Sequence, residues 1–438
     1  MSDSDELRFI VHPGGSLTGR LRVPGDKSIS HRSIMLGALA EGETGVTGFL
    51  EGDDSLATLS AFRAMGVQIE GPHAGSVHIQ GVGLHGLKAP AAALYLGNSG
   101  TSMRLMSGLL AGQVFDTTLT GDASLSSRPM NRVVAPLTKM GARIEAMTGG
   151  TAPLLIHGNA ILSGIDYDMP VASAQVKSSL LLAGLYASGR TCVSEPAPTR
   201  DHTERMLSGM GYPVEREGKR VCLAGAGRLR GIAIDIPADI SSAAFFLVGA
   251  SIAPGSELLL EHVGINPTRT GIIDILQRMG ADICVVNERD VGGEPVADLR
   301  VKSAQLTGID IPPELVPLAI DEFPVIFVAA ACAQGRTVLT GAGELRVKES
   351  DRIQVMADGL QSLGVNAQAT PDGMIIEGGQ LGAGQVDSHG DHRIAMAFSM
   401  AALRAGGDIE INDCANVNTS FPGFVEQAGR AGLHINIQ

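Results

Sequence analysis

Tryptophan is absent from the 438 residues, and aromatic side chains of any kind make up only 3%. Glycine is plentiful instead, with 57 residues, so many turns and close backbone contacts are expected. Basic residues are in deficit: 33 Lys plus Arg stand against 46 Asp plus Glu, a net charge of −13. That deficit argues against non-specific nucleic-acid binding, which needs a basic surface. It leaves room for a small anionic ligand, because a pocket needs only a local cluster of cations. Cysteine is scarce as well. Cys192, Cys222, Cys284, Cys332 and Cys414 form no C-x-x-C pair, and their number is odd. Neither a zinc site nor a disulfide framework is expected, only buried thiols in a reducing compartment. No apolar run is long enough for a membrane span. The opening stretch, MSDSDELRFI, is acidic and has no apolar signal core. A cytoplasmic protein without membrane or nucleic-acid partners is the expectation.

What is present is repetition. The length exceeds one ordinary core, so two domains are expected. One phrase recurs six times, an amphipathic helix closing on Met-Gly or a near equivalent, then a strand. The copies are DDSLATLSAFRAMGVQI, RPMNRVVAPLTKMGARI, RDHTERMLSGMGYPV, NPTRTGIIDILQRMGADI, SDRIQVMADGLQSLGVNA and SFPGFVEQAGRAGLHI. Their closing glycines are Gly66, Gly141, Gly211, Gly280, Gly364 and Gly432, roughly 70–85 residues apart. Each follows the last apolar turn, where a left-handed C-cap is expected. A more apolar helix precedes each copy, as in GDKSISHRSIMLGALAEG, GNSGTSMRLMSGLLAG and ADISSAAFFLVGASIAPG. Short strands such as TCVSEP, SELLLEHV, TVLTGA and DIEINDC follow these helices. Six α/β units in two groups of three place a boundary near Pro237, where the fourth unit opens.

The repeat supplies an internal control. In the fourth copy, ADISSAAFFLVGA fills the slot of GDKSISHRSIMLGA and has no cation. Asp26, Ser28 and Ser30 can be explained as helix caps. Lys27 and Arg32 cannot. About fourteen or fifteen residues before each closing Gly of the apolar helices stand Lys27, Asn98, Gln175, Ser241, Asp321 and Arg393. The amphipathic helices open near Asp53, Arg128, Arg200, Arg269, Lys348 to Arg352, and Ser420. Equivalent helix starts in a pseudo-symmetric repeat converge, and their N–H groups and dipole ends make an anion site. Lys27, Arg32, Arg104, Arg128, Lys177, Arg200, Lys348, Arg352 and Arg393 are expected to gather there. One Arg at a helix start is ordinarily a surface ion pair; nine cations in corresponding slots are not explained so. If RVKESDR is helical, Lys348 and Arg352 share a face and Glu349 adjoins it. Asp321, leading an apolar stretch, is costly unless paired or capping. His31, His202, His389 and His392 lack a metal-like spacing and read as packing or supporting groups.

PGDKSISHR, GNSGTSMR, GDASLSSRPM, ASAQVKSSLLLAGL, TRDHTERML, NPTRTG, IDEFP, ELRVKESDRI, DHRIAMAF and TSFPGF together span nearly the whole chain. With these motifs the sequence resembles the 5-enolpyruvylshikimate-3-phosphate synthase family, and SAQVKS and TRDHTERML look like its second bacterial class. The resemblance implies an α/β fold of two domains, an inside-out α/β barrel of six βαβαββ repeats, three per domain. It implies a discontinuous first domain, residues 1–24 and 238–438, and a second over 25–237. Hinges near 24–25 and 237–238 would let the domains close over ligands. The implied reaction moves the enolpyruvyl group of phosphoenolpyruvate to the 5-hydroxyl of shikimate 3-phosphate and releases phosphate, on the route to chorismate. A tetrahedral addition intermediate, no metal or organic cofactor, and a monomer are implied too.

Roles carry over by position. The resemblance implies phosphoenolpyruvate binding by Lys27, Gly100, Arg128, Gln175, Arg352 and Arg393. It implies shikimate 3-phosphate binding by Lys27, Ser28, Arg32, Ser173, Ala174, Gln175, Arg200, Asp321 and Lys348. Proton transfers fall to Lys27, Asp321 and Glu349. Many relatives have Lys in the TSFP region where this chain has Asn418. Some second-class relatives have Ala, associated with glyphosate resistance, at the position of Gly100; glycine here implies inhibition by glyphosate. The sister transferase acting on UDP-N-acetylglucosamine usually has a loop Cys, absent here between Gln113 and Arg132. A non-catalytic binder of phosphorylated ligands would not need Lys27, Asp321 and Glu349 together.

Overall fold

The computed structural model describes residues 7–438. The chain divides into two compact units. One comprises Gly25–Ile236 with Val291–Gly293; the other comprises residues up to Pro24, Pro237–Asp290 and Glu294–Gln438.

In the first of these, the helices are α1 (Lys27–Leu39), α2 (Asp53–Ala64), α3 (Gly100–Ala111), α4 (Ala123–Ser127), α5 (Asn131–Lys139), α6 (Ala174–Gly184) and α7 (His202–Gly209). Helices α1, α3 and α6 are almost wholly buried, as their apolar sequences require. Three four-stranded sheets complete the unit. Each has one parallel pair, such as Asp166–Asp168 with Arg190–Ser194, and antiparallel pairs beyond it. Helices α3 and α6 approach so closely that a Cβ on Gly108 would lie 2.0 Å from the Ser179 carbonyl oxygen. That contact packs the later half of α3 against the middle of α6.

The other unit carries α8 (Ile240–Ile252), α9 (Gly271–Arg278), α10 (Phe323–Cys332), α11 (Arg352–Ser362), α12 (His392–Ala401) and α13 (Phe424–Ala431). Helices α8, α10 and α12 pack on one another, and every residue of α8 is buried. Two sheets are four-stranded and one three-stranded. Strand Phe9–Val11 lies antiparallel between Ile409–Asn412 and Ile435–Ile437, joining the two ends of the described chain in one sheet. Residues alternate between buried and less buried along it, the pattern of a sheet with one face on the core.

The repeat is plain in both units. All six closing glycines, Gly66, Gly141, Gly211, Gly280, Gly364 and Gly432, have positive φ, between 82° and 120°. A side chain there would be strained, which explains why the phrase ends on this residue type.

Some local expectations are corrected. Asp26 caps α1, accepting from the Ile29 N–H at 2.8 Å, but Ser28 and Ser30 lie inside the helix. Ser30 Oγ instead accepts from the Leu50 N–H at 3.0 Å. RVKESDR is not helical throughout; Lys348 and Glu349 lie in a bend before α11. Cys192 and Cys222 are not thiols. They face each other across antiparallel strands, with Cα atoms 4.1 Å apart, and form a disulfide. Topology brings them together across 30 residues, which spacing alone does not reveal. Cys284 and Cys332 are partly exposed, and Cys414 is buried. No described helix is long and apolar enough to cross a membrane.

Candidate active site

Each unit gathers candidate residues at the starts of its buried helices. In the unit of α1 to α7, Lys27 is the first residue of α1, and its Nζ pairs with Asp54 on α2. One turn later Arg32 is only 4% exposed. Its guanidinium donates to Thr203 Oγ1 at 2.7 Å, Ser178 Oγ at 2.9 Å and the Ser28 carbonyl at 2.9 Å. These bonds fix the orientation of the guanidinium. Between the two cations, His31 is fully buried. Its Nδ1 lies 2.8 Å from Thr58 Oγ1 and 3.1 Å from Ser102 Oγ, tying α1 to α2 and α3. Burial, and then the charges of Lys27 and Arg32, push its pKa well below the usual value, so the ring is neutral.

Ser99 caps α3 and accepts from the Ser102 N–H at 3.1 Å, leaving Gly100 as the first helical residue. Arg128 donates to Asn98 Oδ1 at 2.5 Å, the Asn98 carbonyl at 3.3 Å and Ser124 Oγ at 3.1 Å. Arg104 donates to Gln175 Oε1 at 2.8 Å, and Gln175 donates to Thr101 Oγ1 at 3.0 Å. A Cβ on Gly100 would meet Arg104 Nη1 at 2.7 Å and Arg128 Nη1 at 3.3 Å, so both guanidiniums crowd this glycine. Ser173 caps α6, with Ala174 and Gln175 in its first turn. Arg200 lies two residues before α7. Lys177 departs from the expected convergence. It is fully buried and turned onto Glu195 and Glu204.

In the other unit, one connected network holds the remaining candidates. Arg352 opens α11, and its side chain is 1% exposed. Its Nε and Nη2 donate to the two Asp391 oxygens at 2.8 and 3.2 Å. Nη2 also donates to Glu349 Oε2 at 2.6 Å, and Nη1 to Asp321 Oδ1 at 3.4 Å. Lys348 Nζ lies 3.2 Å from the same Asp321 oxygen. Arg393 donates to the Asp321 carbonyl at 3.0 Å. Burial works against the Arg352 charge, but Asp391, Glu349 and Asp321 outweigh it and raise its pKa. Burial likewise works against ionised Asp391, yet Arg352 opposite it brings the net shift downward. Ser241 and Arg269 are turned inward: Arg269 Nη2 bonds Ser241 Oγ at 2.7 Å and Asp239 at 3.0 Å. Asn418 is exposed in a 3₁₀ turn, Ala415–Thr419.

Sequence reasoning missed two carboxylates here, Asp54 and Asp391. Asp391 was detectable, because it precedes His392 and Arg393 in the slot that Asp26 and Asp239 fill as N-caps. Asp54 had no such signal beyond its place in the first turn of α2. Among the described residues, no group of three or more His, Cys, Asp or Glu is arranged to hold a metal.

The chemistry open to these residues is anion binding by oriented cations in one unit, and carboxylates poised among cations in the other. Known proteins resemble the chain as a whole. Residues 11–428 match the family described as EPSP synthase (3-phosphoshikimate 1-carboxyvinyltransferase). A relative from Alkalilimnicola ehrlichii, named 3-phosphoshikimate 1-carboxyvinyltransferase, is 74% identical over 98% of this chain and 96% of its own length. One of the same name from Methylococcus capsulatus is 68% identical over the full length of both chains. A solved EPSP synthase from Acinetobacter baumannii is 60% identical, with a TM-score of 0.90 over 99% of this chain and 100% of its own. The enolpyruvyl transferase NikO from Streptomyces tendae, 16% identical with a TM-score of 0.78 over 99% of both chains, shares the fold. With sequence and fold agreeing from end to end, this chain belongs to the EPSP synthase family.

Proposed function

We propose that these residues carry out the enolpyruvyl transfer of this family. The 5-hydroxyl oxygen of shikimate 3-phosphate adds to the substituted carbon of phosphoenolpyruvate, and a proton adds to the methylene carbon. The tetrahedral adduct then loses phosphate as its C–O bond breaks, and a proton leaves the new methyl group. Lys27, Gly100, Arg128, Gln175, Arg352 and Arg393 bind phosphoenolpyruvate. Lys27, Ser28, Arg32, Ser173, Ala174, Gln175, Arg200, Asp321 and Lys348 bind shikimate 3-phosphate. Asp321 takes the hydroxyl proton, Glu349 handles the carbon proton, and Lys27 donates a proton or stabilises charge.

The observation that carries this reading is the Asp321 carboxylate, held by Lys348 and Arg352 within a network that also binds Glu349. Fixed cations orient both carboxylates, and desolvation on closure would restore their basicity. The test is phosphate release from phosphoenolpyruvate with shikimate 3-phosphate as acceptor. Turnover is expected, and its absence would sink the proposal. Asp321→Ala and Glu349→Gln should each lose about 10²–10⁴ in turnover while binding changes less. Near-normal turnover in either variant removes that residue from the chemistry.

Four further properties belong to the proposal. Glyphosate competes with phosphoenolpyruvate beside Gly100; an inhibition constant far above the KM for phosphoenolpyruvate would count against it. The crossings near 24–25 and 237–238 serve as hinges, and solution scattering should record compaction when both ligands bind. The protein acts as a monomer, which gel filtration checks. It works in the cytoplasm, which cell fractionation checks.

A further inference from the structure

Among the buried cations of the unit of α1 to α7, one is not used by the reaction scheme above. Lys177 lies on α6, four residues after the cap Ser173. The equivalent residues on the other buried helices are Ser30, Met103, Ala243, Ile326 and Ala395. All six positions are 0% exposed. Five are filled by small or apolar side chains, so the fold does not require a charge there. Burying an ammonium carries a large desolvation penalty unless its partners are well placed.

The partners of Lys177 are Glu195 Oε1 and Glu204 Oε1, both at 2.7 Å. Both carboxylates are buried. Glu195 directly follows the strand Arg190–Ser194, and Glu204 lies on α7. Thr199 Oγ1 donates to Glu195. Arg216 reaches both Glu195, at 3.8 Å, and Asp201, at 3.3 Å. Both chain neighbours of Arg200 are therefore tied to this cluster. On its other side, Ser178 and Thr203 adjoin Lys177 and Glu204 in sequence. Thr203 donates to Ser178 at 2.8 Å, and both accept from Arg32.

We propose that the Lys177–Glu195–Glu204 triad is a positioning device for shikimate 3-phosphate. It sets the segment carrying Arg200 against the start of α6 and backs the hydroxyl pair that aims Arg32. This rests on the assignment of Arg32, Ser173 and Arg200 to that substrate. No triad member touches substrate. A buried ion pair adds little net stability over well-packed apolar residues of similar volume, so the role proposed for the triad is geometric. The triad should therefore govern shikimate 3-phosphate affinity rather than the chemical step or phosphoenolpyruvate binding.

The test uses the full chain with steady-state kinetics in both substrates and calorimetric titration of shikimate 3-phosphate. Lys177→Met alone strands two buried carboxylates and could unfold. The triple variant Lys177→Met, Glu195→Gln, Glu204→Gln removes all three charges at similar volume and keeps the test independent of folding. Its Kd and KM for shikimate 3-phosphate should rise about tenfold, with kcat and the KM for phosphoenolpyruvate held within about twofold. A folded triple variant that binds shikimate 3-phosphate as tightly as the parent would overturn the proposal. So would equal rises in both KM values. Arg200→Ala is the control. If it leaves shikimate 3-phosphate affinity unchanged, the site assignment fails and takes the triad's role with it. If it weakens binding and the triple variant does not, the triad alone is refuted.

Discussion

The starts of α1 and α8 are the same frame filled in two ways. Both helices are 13 residues long, and both are capped by an aspartate, Asp26 and Asp239. Aligned on that cap, Lys27, His31 and Arg32 of α1 stand where α8 has Ile240, Ala244 and Phe245. The three residues of α8 are buried hydrophobics in a continuous core. A cation is still present beside α8, but it comes from elsewhere. Arg269, 3% exposed, bonds the cap Asp239 and Ser241, while Ser241 donates to Glu322. That start is closed on itself. The frame thus needs an aspartate and an apolar face, whereas the cations of α1 are an addition that the frame does not require.

The comparison breaks most directly at Lys27. If it serves the reaction, Lys27→Met should lower kcat/KM by roughly 10³-fold, or about 4 kcal/mol of transition-state stabilisation. The fold should persist, since Ile240 fills the same slot in α8, but at reduced stability, because the buried Asp54 loses its ion pair with Lys27. Steady-state kinetics with thermal melting reads both quantities. A folded variant with kcat/KM within about tenfold of the parent would return Lys27 to the frame.

The opposite response is expected at Arg269. Arg269→Met removes one side of a buried pair and leaves Asp239 buried, which costs about 3–5 kcal/mol. Turnover per folded molecule should be unchanged, because this group is assigned to neither substrate. Urea unfolding together with active-site titration separates the effects. A stable variant with lost turnover would place Arg269 in the reaction and erase the distinction between the two helix starts.

Much of this contrast was legible in the sequence. The six closing glycines, the apolar helices and the cation-free fourth copy follow from periodicity and from the steric demands of a left-handed C-cap. The positions of Lys27, Gly100, Asp321 and Arg352 at helix starts were legible for the same reason. What was hidden depends on which way a side chain turns. Lys177 reads as one more cation of the cluster, yet it turns inward to Glu195 and Glu204. Arg269 likewise stands at an amphipathic helix start but turns onto the start of α8, where it donates to the cap Asp239 and to Ser241. Cys192 and Cys222 are brought together by strand order, which local patterning does not encode. Lys348 reaches Asp321 from a bend rather than from a helix, so the i,i+4 spacing with Arg352 revealed neither its backbone nor this contact.

The subtlest difference between the two starts is His31, which α8 replaces with Ala244. In the folded protein, burial and the neighbouring charges of Lys27 and Arg32 hold the imidazole neutral well below its usual titration range. Unfolded, it titrates near its ordinary value of about 6.5. Above that pH both states are neutral, and the group has no influence on the slope. As pH falls through the unfolded value, the unfolded chain takes up a proton that the folded chain refuses. Stability then declines by up to about 1.4 kcal/mol per pH unit until the folded value is reached. His31→Gln removes that proton uptake. As pH is lowered from about 7.5 through the unfolded value of about 6.5, the parent should therefore lose more stability than the variant, measured by urea unfolding at each pH. Equal losses would mean that His31 is protonated in the folded state. The start of α1 would then hold three charges instead of two, and a neutral spacer between Lys27 and Arg32 would no longer set it apart from α8.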